Sequence, residues 1–367
     1  MSELELFFKS KEFFEAKLFL VFVLSGVISY LTIPIILKIS KRKNLLDIPK
    51  ERSSHDRHVS NLGGVALFYS IGICSPIFAY ELFESYQFLF PALVILLYVG
   101  VMDDIMEVKP YAKLIAQILV AVLMVIGSDV RIKSFSGIFG IYELNYWVSV
   151  VMSIFTFIIM INAFNLIDGI DGLAGVFSVI CCMFFGLSYY RLGEQNYPMV
   201  VLCVVIIGAL LSFLYYNLSE VKSRKIFMGD TGSMSIGFLL VFTAFYFMDI
   251  FAVKENEVSF YYLSSAPVIA FSVLIVPIMD TLSVIIIRLV NKRSPMKADR
   301  NHIHHRLLKL GLTHKKATFY IAVYYVFTIM ITYFLRHLEV NLLFLIVLCL
   351  GFLGVFSPNI IMKYNKK

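Results

Sequence analysis

Charge is scarce in this sequence: 16% of its 367 residues are Asp, Glu, Lys or Arg, while 59% are hydrophobic. A soluble chain carries about 25% charged and about 45–50% apolar residues, so a single soluble core is excluded. Cysteine is also sparse, and the five present, Cys74, Cys181, Cys182, Cys203 and Cys349, form no C-x-x-C pair. Neither a disulfide framework nor a zinc set is indicated; each cysteine sits in an apolar run and reads as a small buried hydrophobe. No low-complexity tract, separate soluble domain or internal repeat is visible. No small-residue cleavage site follows the first apolar run, which begins near Lys17 and is too long for a signal-peptide core. It is expected to be retained as a helix.

What the sequence does have is a series of apolar runs of roughly 17 to 25 residues, the length that carries a helix across about 30 Å of hydrocarbon. The reading is an all-α integral membrane protein with about eleven transmembrane helices, at residues 18–39, 62–80, 87–102, 112–127, 147–161, 173–190, 199–216, 233–248, 263–287, 318–335 and 341–356. Residues 1–17 form an interfacial leader, 18–357 the polytopic catalytic domain and 358–367 a tail. Connectors 41–61, 103–113, 162–171, 217–230, 288–317 and the tail hold 23 Lys and Arg, and the alternate set holds 8. The positive-inside rule then places the N-terminus outside and the C-terminus in the cytoplasm. The net charge of +7 fits basic loops facing anionic lipid headgroups better than nucleic acid.

The polar clusters fall on the basic, cytoplasmic set. Asp103 and Asp104 close the third span with no adjacent cation. Two such carboxylates repel, so a hydrated helix end or a site for a cation or for a phosphate's counter-ion follows. Lys113 opens the next helix, placed to hold an anionic phosphate. In the run from Asn162 to Gly172, the polar residues Asn162, Asn165, Asp168 and Asp171 recur every third position. On a helix that spacing makes one polar stripe, and Gly169 and Gly172 admit a ligand close to the backbone. Asp230, in Met228-Gly229-Asp230-Thr231-Gly232-Ser233, is expected at a helix N-terminus that favours phosphate or metal-bound phosphate; N-capping explains it equally well taken alone. In the loop from Ser294 to Arg306, His302 and His305 would be helical neighbours with His304 turned away. Without a Cys or nearby Glu to complete a zinc set, they read as donors to a diphosphate. Asp280 and Arg288, eight residues apart, form either a snorkelling pair or a functional one.

These motifs, in this order and with spans between them, resemble the polyprenyl-phosphate N-acetylhexosamine-1-phosphate transferases. They are the Asp-Asp pair, N-x-x-N-x-x-D-G-x-D-G-L-A, F-M-G-D-x-G-S and S-P-x-x-A-D-x-x-H-I-H-H, within residues 47–316. The H-I-H-H block is similar to the branch that starts O-antigen, enterobacterial common antigen or teichoic acid linkage units. The first loop keeps Pro49, Arg52, His55 and Gly63-Gly64, with Ser60 and Asn61 in place of the usual Pro and Arg and His58 upstream.

The resemblance implies transfer of a sugar 1-phosphate, N-acetylglucosamine 1-phosphate first, from a UDP-sugar to undecaprenyl phosphate, with UMP released. Another UDP-N-acetylhexosamine or UDP-MurNAc-pentapeptide is the alternative donor. It implies Asn165 and Asp230 as ligands of Mg2+, with Mn2+ as a substitute. It also places Asp168 and Asp171 at the nucleoside, with Asn162 beside them, and Asp103 and Asp104 at the acceptor phosphate, which Lys113 anchors. His302, His304, His305 and Arg306 hold the diphosphate and sugar. Expected partners are the UDP-sugar, the polyprenyl phosphate, membrane lipids and a second copy of the chain, with no nucleic acid. The expected location is a bacterial cytoplasmic membrane, with the site facing the cytoplasm. The chemistry is coherent on its own terms, since phosphoryl transfer needs charge neutralisation and in-line positioning more than covalent machinery. An anion transporter would instead place its polar residues near the midplane of repeated halves.

Overall fold

A computed structural model describes residues 11–45, 59–251, 263–292 and 301–364. Pro49, Arg52, His55 and His58 of the first loop lie outside them, as do Ser294, Lys297, Asp299 and Arg300 and most of the leader. The helices are α1 (Lys11–Arg42), α2 (Gly63–Phe78), α3 (Tyr80–Ser85), α4 (Leu89–Met106), α5 (Pro110–Val122) and α6 (Tyr146–Ile167). They continue with α7 (Leu173–Arg191), α8 (Tyr197–Asn217), α9 (Gly229–Phe251), α10 (Ala266–Val273) and α11 (Ile275–Val290), then α12 (Ile303–Lys309), α13 (His314–Phe334) and α14 (Val340–Tyr364). Among the described residues β structure is limited to isolated bridges, such as Ser60 with Ile226 and Ser134 with Glu143. A chain this apolar satisfies its backbone within each segment, which in lipid leaves helices as the solution.

Nine helices among the described residues are long and apolar enough to cross a membrane. Two of the expected eleven spans differ. The second is the 16-residue α2, about 24 Å at 1.5 Å per residue and short of a full hydrocarbon core. The ninth is broken at Leu274 into α10 and α11, which bend by 73°. Helix ends also shift toward the polar motifs. Asp103 and Asp104 lie in the last turn of α4, and Asn162 and Asn165 in the last turns of α6. Four of the cysteines are buried as expected; Cys349 is exposed.

The chain divides into two compact units. The first comprises Met1–Glu107 and Ser178–Gly232, the second Val108–Phe177 and Ser233–Lys367; α7 and α9 each run from one into the other. In the first unit α1, α2 and α8 pack together, with Ser70 Oγ donating to Ser25 O at 2.7 Å and Ser212 Oγ to Gly26 O at 2.7 Å. In the second, α5 and α11 pack on α6, and α11 and α13 on α14. Its caps follow the sequence. Pro110 opens α5, and the Asn145 side chain accepts from Trp147 N at the start of α6. Thr313 accepts from Lys316 N at the start of α13.

Candidate active site

The first unit presents the acidic pair and the Gly229-Asp230 turn together. Phe227 N donates to Ser60 O at 2.9 Å, Gly63 N to Phe227 O at 3.0 Å and Gly64 N to Met228 O at 2.8 Å. Ser60 Oγ lies 2.9 Å from Ser40 Oγ. Ser60 thus ties this turn to the loop before α2. Gly229 has φ +69, and a Cβ there would stand 1.9 Å from Asn61 O, so the turn requires glycine. Asp104 then caps α9 from another helix. It accepts from Asp230 N at 2.8 Å, Thr231 N at 3.1 Å and Thr231 Oγ1 at 2.7 Å. The helix-start amides that the sequence offers to a phosphate are therefore taken by Asp104. Asp103 and Asp230 are each half-buried.

In the second unit the amide series is only partly a helical stripe, because α6 stops at Ile167 with Asp168 as its C-cap. Asn162 forms a reciprocal amide pair with buried Gln117 of α5: its Nδ2 donates to Gln117 Oε1 at 2.6 Å, and Gln117 Nε2 returns to Asn162 Oδ1 at 3.3 Å. Gln117 lies one turn after half-buried Lys113. Asn165 Nδ2 donates to Ser233 Oγ at 2.9 Å, which makes Oδ1 the amide atom left for a ligand. Past the helix end, Asp171 O accepts from Thr318 Oγ1 at 2.8 Å. Its Oδ2 lies 3.3 Å from His314 Nδ1, an ion-pair distance without hydrogen-bond geometry.

The histidine segment is arranged differently from the expectation. His302 is the N-cap residue of α12, in extended conformation, so it and His305 are not helical neighbours. Both His302 and His304 are buried, their rings stacked at 5.8 Å, and His305 is half-buried 4.3 Å from His304. His302 Nδ1–H donates to Asp280 Oδ2 at 2.9 Å and Ile303 N to Asp280 Oδ1 at 2.7 Å. Asp280 thereby caps α12 and orients the ring, leaving Nε2 as its second position; its partner is the histidine segment rather than Arg288. His304 is 1% exposed. Its Nδ1 has no hydrogen-bond partner among the described residues, and its ring lies where a Cβ on Gly169 would meet Nε2 at 2.3 Å. Gly169 is thus required by close approach, and the Asp168-Gly169 turn and the histidine segment form one surface. Arg306, 2% exposed, spends its guanidinium on Asn301 O at 2.6 Å, Val355 O at 2.9 Å and Ser283 Oγ at 2.8 Å. It clamps α12 to α11 and α14.

The two expected magnesium ligands are both oxygen donors, a carboxylate and an amide fixed in orientation by Ser233. Hard cations take such oxygens, and Mg2+ is ordinarily held by few protein groups with phosphate oxygens completing its shell. The donor chemistry fits. Among the described residues no three of His, Cys, Asp or Glu converge as metal ligands. Sequence reasoning missed Gln117 and His314 and left Asp280 undecided. A polar residue deep in an apolar span was the available signal for Gln117 and Asp280, whereas nothing marked His314.

Comparison with known proteins agrees with the family resemblance. A sequence model of the glycosyl transferase family 4 matches residues 86–248. A Bacillus subtilis (strain 168) protein named probable undecaprenyl-phosphate N-acetylglucosaminyl 1-phosphate transferase is 31% identical over 304 residues, 80% of this chain and 79% of the relative. The undecaprenyl-phosphate alpha-N-acetylglucosaminyl 1-phosphate transferase of Escherichia coli (strain K12) is 28% identical over 287 residues, 76% and 73% of the two chains. Its Salmonella typhi counterpart is 30% identical over 290 residues, with the same coverage. On the length and level of that agreement, the chain belongs to glycosyl transferase family 4.

Proposed function

We propose that the protein transfers N-acetylglucosamine 1-phosphate, or the 1-phosphate of a closely related N-acetylhexosamine, from its UDP-sugar to undecaprenyl phosphate. The products are undecaprenyl-diphosphate-sugar and UMP, the first lipid-linked step of a cell-envelope glycan. The observation that carries this reading is the alignment with relatives of that name over about three quarters or more of both chains. In the reaction an oxygen of the lipid phosphate bonds to the β-phosphorus of the donor. The bond from that phosphorus to the oxygen bridging to the α-phosphate breaks, and UMP leaves with the electron pair.

Asp230 and Asn165 hold a magnesium ion, which when bound supplies positive charge against the diphosphate. Lys113 anchors the acceptor phosphate, and Asp103 positions it or takes its residual proton. A phosphate monoester has its second pKa near 6 and is largely dianionic at neutral pH, so it needs little help from a base. Asp168 and Asp171 face the nucleoside, and His302 and His305 the diphosphate and sugar, on a segment fastened by Asp280 and Arg306. Eleven membrane crossings, counting α2 and the bent α10–α11 pair, with the N-terminus outside and the site on the cytoplasmic face of the inner membrane, complete the reading. The 23-to-8 division of basic residues supports it. Incubating the purified protein with undecaprenyl phosphate and a panel of UDP-sugars, then weighing the lipid product, tests it. A lipid gaining one phosphorylated N-acetylhexosamine with one UMP released is expected. No lipid product from any donor overturns it.

A further inference from the structure

Helices α1 and α8 of the first unit touch at mid-length through their smallest residues. A Cβ on Gly208 would meet Ser25 Oγ at 2.2 Å and Phe22 O at 2.5 Å. Toward the C-terminal ends the facing residues become Tyr30, Tyr215 and Tyr216, whose ring centroids lie 5.8 Å (30 to 215), 5.3 Å (30 to 216) and 5.2 Å (215 to 216) apart. Pro34 follows on α1 and has no amide hydrogen, so the Tyr30 carbonyl four residues earlier loses its helical donor. Tyr216 Oη donates to that carbonyl at 3.2 Å. Glycines draw the helices together and the bulkier residues part them, which leaves a cavity of about 420 Å3.

Beyond the tyrosines this cavity is lined by Lys38 and Lys41 of α1 and by Arg224, and no described carboxylate lines it. Lys41 Nζ donates to Ser223 O at 3.1 Å, tying the turn that carries Arg224 to the end of α1. Three cations around one small volume repel unless an anion joins them. Leu31, Ile35 and Ile39 of the same stretch of α1 are exposed, an apolar surface fit for acyl chains beside the cationic mouth.

We propose that this cavity binds the phosphate headgroup of an anionic membrane glycerophospholipid. Basic pockets between transmembrane helices hold such headgroups, and an anionic leaflet supplies them. The Tyr215 hydroxyl adds a donor at the cavity wall, at the interfacial depth where amphipathic rings sit. None of these residues belongs to the transferase site, so the inference stands whatever the donor sugar.

The test uses the purified full-length protein in nanodiscs of phosphatidylcholine with rising phosphatidylglycerol, read by native mass spectrometry and by thermal unfolding. Wild type is expected to retain about one phosphatidylglycerol per chain and to gain thermal stability with it, while Lys38→Gln with Arg224→Gln weakens retention roughly ten- to thirtyfold. The charge-preserving pair Lys38→Arg with Arg224→Lys restores retention, which separates lost charge from lost fold. Equal retention by the neutralised variant, or equal retention of phosphatidylcholine by wild type, overturns the proposal. So does displacement by millimolar inorganic phosphate, which would make it a free-anion site. Displacement by equimolar undecaprenyl phosphate overturns it as well, by assigning the cavity to the acceptor lipid.

Discussion

At the start of α9 two carboxylates meet with unequal commitments. Asp104 accepts three hydrogen bonds from the α9 N-terminus, whereas Asp230 supplies a backbone amide to that cap and is the residue proposed to hold the metal. An exchange to Asn separates them. Asp104→Asn loses part of a charge-assisted cap worth about 1–2 kcal/mol, and a fall in melting temperature of roughly 2–4 °C is expected. Asp230→Asn, at the proposed metal ligand, abolishes turnover at ordinary magnesium and raises the magnesium requirement. Near-normal activity of Asp230→Asn at low magnesium would place the metal elsewhere. His304 makes a different demand, on pH. Burial first, and His305 next, push its pKa down to about 3, while in an unfolded chain histidine titrates near 6.5. Above pH 6.5 both states hold the neutral ring and nothing is lost. Between 6.5 and about 3 the unfolded chain binds the extra proton, so stability falls by up to about 1.4 kcal/mol per pH unit. Thermal unfolding from pH 7.5 to 4.5 should therefore decline less steeply in His304→Gln than in wild type. Parallel declines would show that the ring is not held neutral.

Helices as units were legible in the sequence wherever an apolar run was long, but their ends and partners were not. The three-residue period from Asn162 to Asp171 reads as one stripe, yet α6 stops at Ile167 and the stripe becomes a turn. The glycine at 169 serves that turn by making room for His304, 135 positions away. Periodicity reports which face a residue occupies on its own helix, not which distant side chain meets it. The same limit hid Asp280, whose partners His302 and Ile303 lie across a long connector. It hid the role of Arg306 too, because two of its acceptors are backbone carbonyls that no residue type announces. Motif content, by contrast, needed no partners to be read, and Asp103, Asp230 and the histidine segment stood out at once. Because Asp280 orients His302 rather than meeting substrate, Asp280→Asn should cost about 10- to 100-fold in turnover, the usual range for such supporting groups. Its effect should also not add to that of His302→Ala, since both remove one unit. A double variant that loses the product of the two single effects would separate Asp280 from the ring.

For the whole molecule the open quantity is which loops share a face, and α2 decides it. At 16 residues it is about 24 Å long, several ångströms less than the hydrocarbon core, and a short segment crosses by local bilayer thinning or by snorkelling of its flanks at a modest cost. With the bent α10–α11 pair counted as one crossing, if α2 crosses, the connectors 41–61, 103–113, 162–171, 217–230, 288–317 and the C-terminal tail lie on one side with 23 basic residues. If it does not, loop 41–61 with its six basic residues faces the side opposite the other five, and the charge asymmetry that orients the chain is weakened. That loop leads into Ser60, whose carbonyl holds Phe227 in the turn before Asp230. The pairing of Ser60 with Phe227 requires the end of loop 41–61 and the start of α9 to stand at the same membrane face, which an uncrossed α2 would forbid. Single cysteines introduced at 44, 222 and 309 in a background without the native cysteines, probed with a membrane-impermeant maleimide, give the direct reading. All three are expected to be silent in intact cells and labelled after the membrane is opened, with a tag ahead of Ser2 accessible from outside. Labelling at 44 alone in intact cells would mean that α2 turns back, and labelling at 309 would remove the proposed site from the compartment that holds nucleotide sugars.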